Sequence, residues 1–249
     1  MSDQPKDYTW PIRISTFDAG QDQRLTPAAQ LRLQQEIGER HLTVGGLDYQ
    51  TLSDEGLAFL LTRTNSVIHR APRLNEDVVL RTWHRGTRGA QFYRCYEFLD
   101  REGRPLVESV TAFALVDVHS HRLLRPSAFD RFHLETQAER QSGCPDPDKW
   151  KMPDGMEPAG THTVRWSEVD WNGHLNNTRY GDYICDYLPG GLHGRRLTGY
   201  SIAFVHEALE GEELQMAAAA GKGEAYIRGT HARGVCFEGR VTFAAEAET

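Results

Sequence analysis

The chain has 249 residues, 39% of them hydrophobic and 25% charged, with a formal net charge of -7. That is enough apolar material for one large domain or for two of about 110 to 130 residues. The acidic balance excludes broad nucleic-acid binding, which needs a basic surface to displace counterions from phosphates. The opening MSDQPKDYTW has no apolar signal-peptide core, and nowhere do about 18 apolar residues run together, so neither secretion nor a membrane span is expected and a cytoplasmic location follows. Cys95, Cys144, Cys185 and Cys236 stand apart without a CxxC pair, which points to free buried thiols rather than to zinc or a disulfide framework.

Along the chain, LTPAAQLRLQQEIG predicts a helix with Thr26 as N-cap, Pro27 in its first position and a stop at Gly38. RTNSVIHRAPRLNEDVVLRTWHRGT and AQFYRCYEFLDREGRPLVESVTAFALVD then read as strands, with DREGRP as a hairpin turn. Residues 119–160 are polar, hold five of the eleven prolines and read as a linker between units, with one short helix from about Pro126. LNNTRYGDYICDYLPGG predicts a second helix capped by Asn176 or Asn177. Tyr180, Tyr183, Ile184, Tyr187 and Leu188 form its apolar stripe, and Pro189, Gly190 and Gly191 end it. GYSIAFVHEALEGEELQMAAAA and EAYIRGTHARGVCFEGRVTFAAE follow as strands, with HARG at the turn, and residues after about Ala245 are expected to fray.

A helix followed by four or so antiparallel strands thus occurs twice. Leu74-Asn75-Glu76-Asp77 matches Leu209-Glu210-Gly211-Glu212, and Val110-Thr111 matches Val241-Thr242. A lone helix buries its stripe on the sheet that follows it, so the predicted class is α+β: a tandem double hotdog, each half a helix wrapped by an antiparallel sheet. The halves are residues 1–118 and 161–249, joined by the linker.

Chemistry is sought where one half is polar and the other bland. Aligning Leu25 with Leu175 sets Asp170, Asn172 and His174 of DWNGHLNNTRY against Gly20, Asp22 and Arg24; aligning Leu74 with Leu209 sets Glu207 against Pro72. In an extended segment, alternate residues project to one side, so the three could converge just ahead of a helix N-terminus, where a developing oxyanion is favoured. The same run reads equally as turn formers and a helix cap. Glu207, in SIAFVHEALEG, has apolar neighbours that would raise its pKa toward a general-base role; a solvated strand-end carboxylate is the other reading. No GxSxG elbow is present and Ala208 follows Glu207, so covalent catalysis is not indicated.

DWNGHLNNTRY with FVHEA, together with FLLTRTNSVIHRAPRLNEDVVLRTW in the first half, resembles the acyl-ACP thioesterases of plants and bacteria across nearly the whole chain. The resemblance implies hydrolysis of fatty acyl thioesters of acyl carrier protein without metal or cofactor. Glu207 would activate water, Asn172 and His174 would hold the thioester carbonyl, and Asp170 would orient the water or its neighbours. Ala208 stands where some members carry a cysteine, which disfavours a thiol nucleophile. The acyl chain would lie in the first half near Leu31, Leu33 and Trp83, with Asn176, Asn177 and Tyr180 as further substrate-binding residues. The acidic carrier would dock on basic residues: Arg81, Arg85, Arg88 and Arg94 in one half, Arg195 and Arg196 in the other. An acyl-CoA thioesterase and a non-catalytic acyl-thioester-binding protein are the rival readings, and pairing of two chains into a homodimer is left open.

Overall fold

The computed structural model describes residues 5–245, so the expectation for the chain beyond Ala245 lies outside them. The chain forms two compact units: residues up to Leu25 with Arg32–Pro147, and Thr26–Leu31 with the residues from Asp148 on. In chain order the first carries β1 (Asp7–Arg13), most of α1 (Pro27–Val44), α2 (Tyr49–Asp54), β2 (Leu57–Ile68), β3 (Asp77–Arg88), β4 (Gln91–Leu99), β5 (Pro105–Asp117) and the two-residue β6 (Leu123–Leu124). The second carries β7 (Glu157–Thr163), α3 (Tyr180–Asp186), β8 (Arg195–Phe204), β9 (Glu213–Ala220), β10 (Glu224–His231) and β11 (Gly234–Ala245).

In the first unit the strands run antiparallel in the order β1-β3-β4-β5-β2. In the second the order is β7-β9-β10-β11-β8, the same arrangement again. Among the described residues each unit therefore has five main strands, one more than expected from sequence. The extra strands, β1 and β7, precede the helices and sit at sheet edges, where proline is tolerated; Pro11 and Pro158 are what keep these segments from reading as strands in the sequence.

Helix α1 begins as expected, with the Ala29 N–H donating to Thr26 Oγ1 at 3.2 Å. It does not stop at Gly38 but runs to Val44, and Gly46, with φ 77°, is the glycine that follows its end. Gly38 instead faces the sheet, where an added Cβ would meet the Tyr96 hydroxyl at 3.4 Å. The contact between α1 and the sheet is unusually polar. Gln34 Nε2 donates to Ser109 Oγ, Ser109 pairs with Ser66, and Thr64 pairs with Thr111. Arg94, 3% exposed, donates to His41 Nδ1 of α1, to Thr82 Oγ1 and to His84 Nε2.

Strand alternation sends Thr82, Arg94 and Ser109 toward α1 and their neighbours Trp83, Cys95 and Val110 to the opposite face. That face is closed by the segment expected to be a free linker. The Gln137 N–H donates to the His84 carbonyl, Arg140 lies over the Trp83 ring at 4.0 Å, the Gly143 N–H donates to Glu108, and Cys144 packs into the Trp83–Cys95–Val110 cluster. Residues 137–146 are therefore a strap over the first unit's sheet. The short helix from Pro126 is a 3-10 turn, Pro126–Phe129, whose Phe129 joins Leu47, Leu52, Leu57, Phe92 and Leu115 in a second apolar cluster.

In the second unit α3 lies on β11. Ile184 and Tyr180 are buried against Gly239 and Phe237, and the Tyr180 hydroxyl meets Cys236 Sγ at 3.1 Å. The helix is shorter than its stripe suggests: a 3-10 turn, Asn177–Arg179, precedes it, and Tyr187 and Leu188 lie beyond its end.

Candidate active site

Both units build the entry to their helix from the same main-chain bonds. In the second, Val169 bridges Leu175, the Asp170 N–H donates to the His174 carbonyl, and the Gly173 N–H donates to the Asp170 carbonyl, both at 2.9 Å. In the first, Ala19 bridges Leu25, Gly20 pairs with Arg24, and the Gln23 N–H donates to Gly20. Gln23 and Gly173 share a positive φ, 60° and 86°. The Leu25 N–H then donates to the Pro72 carbonyl at 2.9 Å, and the Leu175 N–H to the Ala208 carbonyl at 2.7 Å.

These bonds correct the match between halves by one residue. Pro72 corresponds to Ala208, so Glu207 stands opposite Ala71 rather than Pro72. Asn75 (φ 65°) corresponds to Gly211 (φ 82°), and Glu76 to Glu212. In β5 and β11 the carbonyls of Leu106 and Cys236 accept equivalent bonds from residues 69–70 and 205–206, which sets Val110 against Arg240 and Thr111 against Val241. Matching leucine to leucine missed this because left-handed turn positions, not side-chain types, mark the frame.

The run from Asp170 to His174 is a tight turn, not extended chain. Glycine at 173 takes the left-handed conformation, and Asp170 Oδ1 accepts the Asn172 N–H at 2.9 Å. Convergence of the trio therefore does not rest on alternation. The turn still brings His174 Nδ1 to 3.8 Å from Asp170 Oδ1, both side chains half-buried or better, while the Asn172 side chain is exposed.

Glu168, which sequence reasoning passed over, anchors this turn. Its carboxylate accepts the Arg165 N–H at 2.8 Å, His162 Nε2 at 2.9 Å and the Tyr183 hydroxyl at 2.9 Å, and its carbonyl accepts the Asn176 N–H. Burial works to raise its pKa, but the three donors together hold it below the usual carboxylate value. The signal was available: Arg165 and Glu168 stand to each other as Ser15 and Asp18 do, and Asp18 accepts the Ser15 N–H at 2.8 Å.

Glu207 lies on the segment that Leu175 binds. Its side chain is 54% exposed, with Oε1 3.6 Å from Arg233 Nη1, so a guanidinium stands beside it rather than the expected apolar wall. Asn176 is the N-cap, its Oδ1 accepting the Thr178 N–H and hydroxyl, and Asn177 opens the 3-10 turn. Tyr180 is buried among Phe204, Phe237 and Cys236, inside the core rather than on a binding surface. Burial pushes the Cys236 thiol up to about 11, which removes it as a nucleophile.

Of the proposed acyl-chain residues, Leu31 and Leu33 are buried on α1, Leu31 grouping with the second unit. Trp83 points away from α1 and lies under the strap, so it cannot line a chamber between that helix and the sheet. The basic cluster is largely spent inside its own unit. Arg94 is buried, Arg85 and Arg88 pair with Asp146 of the strap, and Arg81 reaches Glu97. Arg195 donates to the Pro189 carbonyl and stacks on Phe243, and Arg196 is half-buried on β8.

A model of the acyl-ACP thioesterase N-terminal domain matches residues 5–127, and one of the acyl-ACP thioesterase C-terminal domain matches residues 156–244. The dodecanoyl-[acyl-carrier-protein] hydrolase of Cinnamomum camphora, a chloroplastic protein, is 22% identical over 217 residues, 81% of this chain and 56% of its own length. The chain thus spans little more than half of that relative. An acyl-ACP thioesterase structure from Bacteroides thetaiotaomicron superposes with a TM-score of 0.86 at 21% identity, covering 98% of this chain and 100% of its own. The 12:0-ACP thioesterase from Umbellularia californica gives 0.79 at 16%, covering 97% and 98%. These likenesses establish the two-unit hotdog fold. Among the described residues no helix is long and apolar enough to cross a membrane.

Proposed function

Because the chain belongs to the acyl-ACP thioesterase family, we propose that it hydrolyses acyl thioesters of acyl carrier protein, with the second unit supplying the chemistry. The observation that carries this reading is the 2.7 Å bond from the Leu175 N–H to the Ala208 carbonyl, which ties the Asp170–His174 turn to the segment holding Glu207. In the proposed reaction Glu207 takes a proton from water as its oxygen adds to the thioester carbonyl. Asn172 and His174 stabilise the resulting oxyanion, and Asp170 orients the imidazole through the 3.8 Å contact. Collapse breaks the C–S bond, and the thiolate leaves with the proton from Glu207. The products are a free acid and the carrier thiol. A thioester has a good leaving group, so one positioned base and oxyanion donors suffice.

The acyl chain is assigned to the first unit, with Leu33 as its contact on α1. The test is hydrolysis of acyl-ACP across a panel of chain lengths, read as free thiol. Glu207→Gln and Asn172→Ala are each expected to lower kcat by at least about 100-fold with the fold intact. Full activity in either variant refutes the site. Parallel rates on acyl-CoA separate the two carriers, and binding of acyl-ACP without release of thiol would establish the non-catalytic reading instead.

A further inference from the structure

The β10–β11 turn, His231 to Gly234, is wrapped around the segment that carries Glu207. Arg233 Nη2 donates to the Glu207 carbonyl at 2.9 Å and to Glu212 Oε2 at 2.9 Å, while Nη1 stands 3.6 Å from Glu207 Oε1. One guanidinium therefore holds both the backbone and the carboxylate of the same residue. His231 completes the grip: its Nδ1 accepts the Arg233 N–H at 3.1 Å, which leaves the proton on Nε2 to donate to the Glu207 carbonyl at 3.0 Å. The next residues are pinned as well, since the Leu209 N–H donates to Glu212 and the Cys236 carbonyl accepts from Val205 and His206.

The first unit shows what this region looks like without Glu207. There Glu76, the counterpart of Glu212, is held by both Nη atoms of Arg70, on its own segment, at 2.8 and 2.6 Å, and Ala71 occupies the place of Glu207. In the second unit the residue equivalent to Arg70 is His206, and the arginine comes from the opposite hairpin, at a position from which it reaches the carboxylate of Glu207 as well as Glu212. A hairpin needing only to hold Glu212 has no use for the second contact.

We infer that Arg233 is a positioning residue for Glu207: it restricts the rotamers of an exposed carboxylate to one orientation. A guanidinium suits this role because it stays protonated and its fork spans two acceptors, whereas a lysine is a single point charge. The inference rests on Glu207 being the base.

The experiment measures kcat and KM of the full chain on acyl-ACP for Arg233→Met, Arg233→Lys, Glu207→Gln and the double variant of Arg233→Met with Glu207→Gln, with thermal melts of each. Arg233→Met should lower kcat about 10-fold with KM within twofold, since misorientation of a reacting group acts on turnover. Arg233→Lys should fall between, and in the Glu207→Gln background Arg233→Met should have less than a twofold further effect. If Arg233→Met keeps full kcat while Glu207→Gln is inactive, the inference fails and the proposed site stands. If Arg233→Met lowers turnover by the same factor in the parent and in the Glu207→Gln background, Arg233 only supports the hairpin and the inference again fails. Full activity of Glu207→Gln overturns both.

Discussion

Replacing Gly239 by alanine tests how tightly α3, the helix that follows the Asp170–His174 turn, is seated on its sheet. A Cβ at this position in β11 would lie 2.5 Å from Ile184 Cγ2, about 1 Å inside ordinary carbon–carbon contact. Ile184 is fully buried and β-branched, so it has little rotamer freedom with which to yield. Overpacking of this kind costs about 1–3 kcal/mol, against which the gain from removing a strand glycine is at most about 1 kcal/mol. Net destabilisation of about 1–2 kcal/mol should lower the melting temperature by roughly 2–4 °C for each kcal/mol. The decisive measurement is a cycle with Ile184→Ala. That change alone costs about 2–5 kcal/mol by leaving a cavity, and the alanine methyl at 239 should then fill space rather than collide, so the double variant is more stable than the sum of the two. Urea midpoints give the coupling. Additive effects, or a Gly239→Ala protein as stable as the parent, would refute the packing argument.

Two further outcomes follow from the first unit. His41 is fully buried, donates from Nε2 to the Pro5 carbonyl and accepts from Arg94, and burial followed by the adjacent guanidinium lowers its pKa from 6.5 to about 4. A base depressed in the folded state binds fewer protons than the unfolded chain between those values, so stability is full above about pH 6.5 and falls by about 3 kcal/mol as pH drops to 4. Urea midpoints from pH 7.5 to 4.5 should fall less steeply in His41→Phe, and an unchanged slope rules His41 out as the source. Trp83→Ala should cost about 3–5 kcal/mol and expose residues 137–146 to limited proteolysis, while the preference among acyl chain lengths stays that of the parent; a shifted preference would return Trp83 to the acyl chamber.

The repeated order of elements was legible because hydrophobic period and turn residues report local structure, and they did so for α1, β2 to β5 and β8 to β11. What stayed hidden depends on contacts distant in sequence. Gly38 looks like a helix stop until Tyr96 is seen against it. The strap reads as a linker because Pro145 and Pro147 signal irregular chain, and nothing local says that Cys144 will be buried beside Trp83. In the candidate site the expected residues lie in one unit, but the geometry differs from the one expected. Alternation suggested convergence by extended chain, whereas Gly173 and the Asp170 carboxylate make a turn. Arg233 escaped notice because its partner, Glu207, lies on another element, whereas Glu168 shares with Asp18 the three-residue spacing that marks it.

The main-chain frame shared by residues 19–25 and 169–175 separates shape from reactivity. One copy carries Gly20, Asp22 and Arg24, the other Asp170, Asn172 and His174, and both fold into the same turn. The main-chain bonds are common to both copies, and in each an aspartate carboxylate braces the turn from a different position, Asp170 on the Asn172 N–H and Asp22 on the Arg24 N–H. A duplicated fold of this kind can carry different side chains on its two copies of one turn while the main-chain frame stays the same.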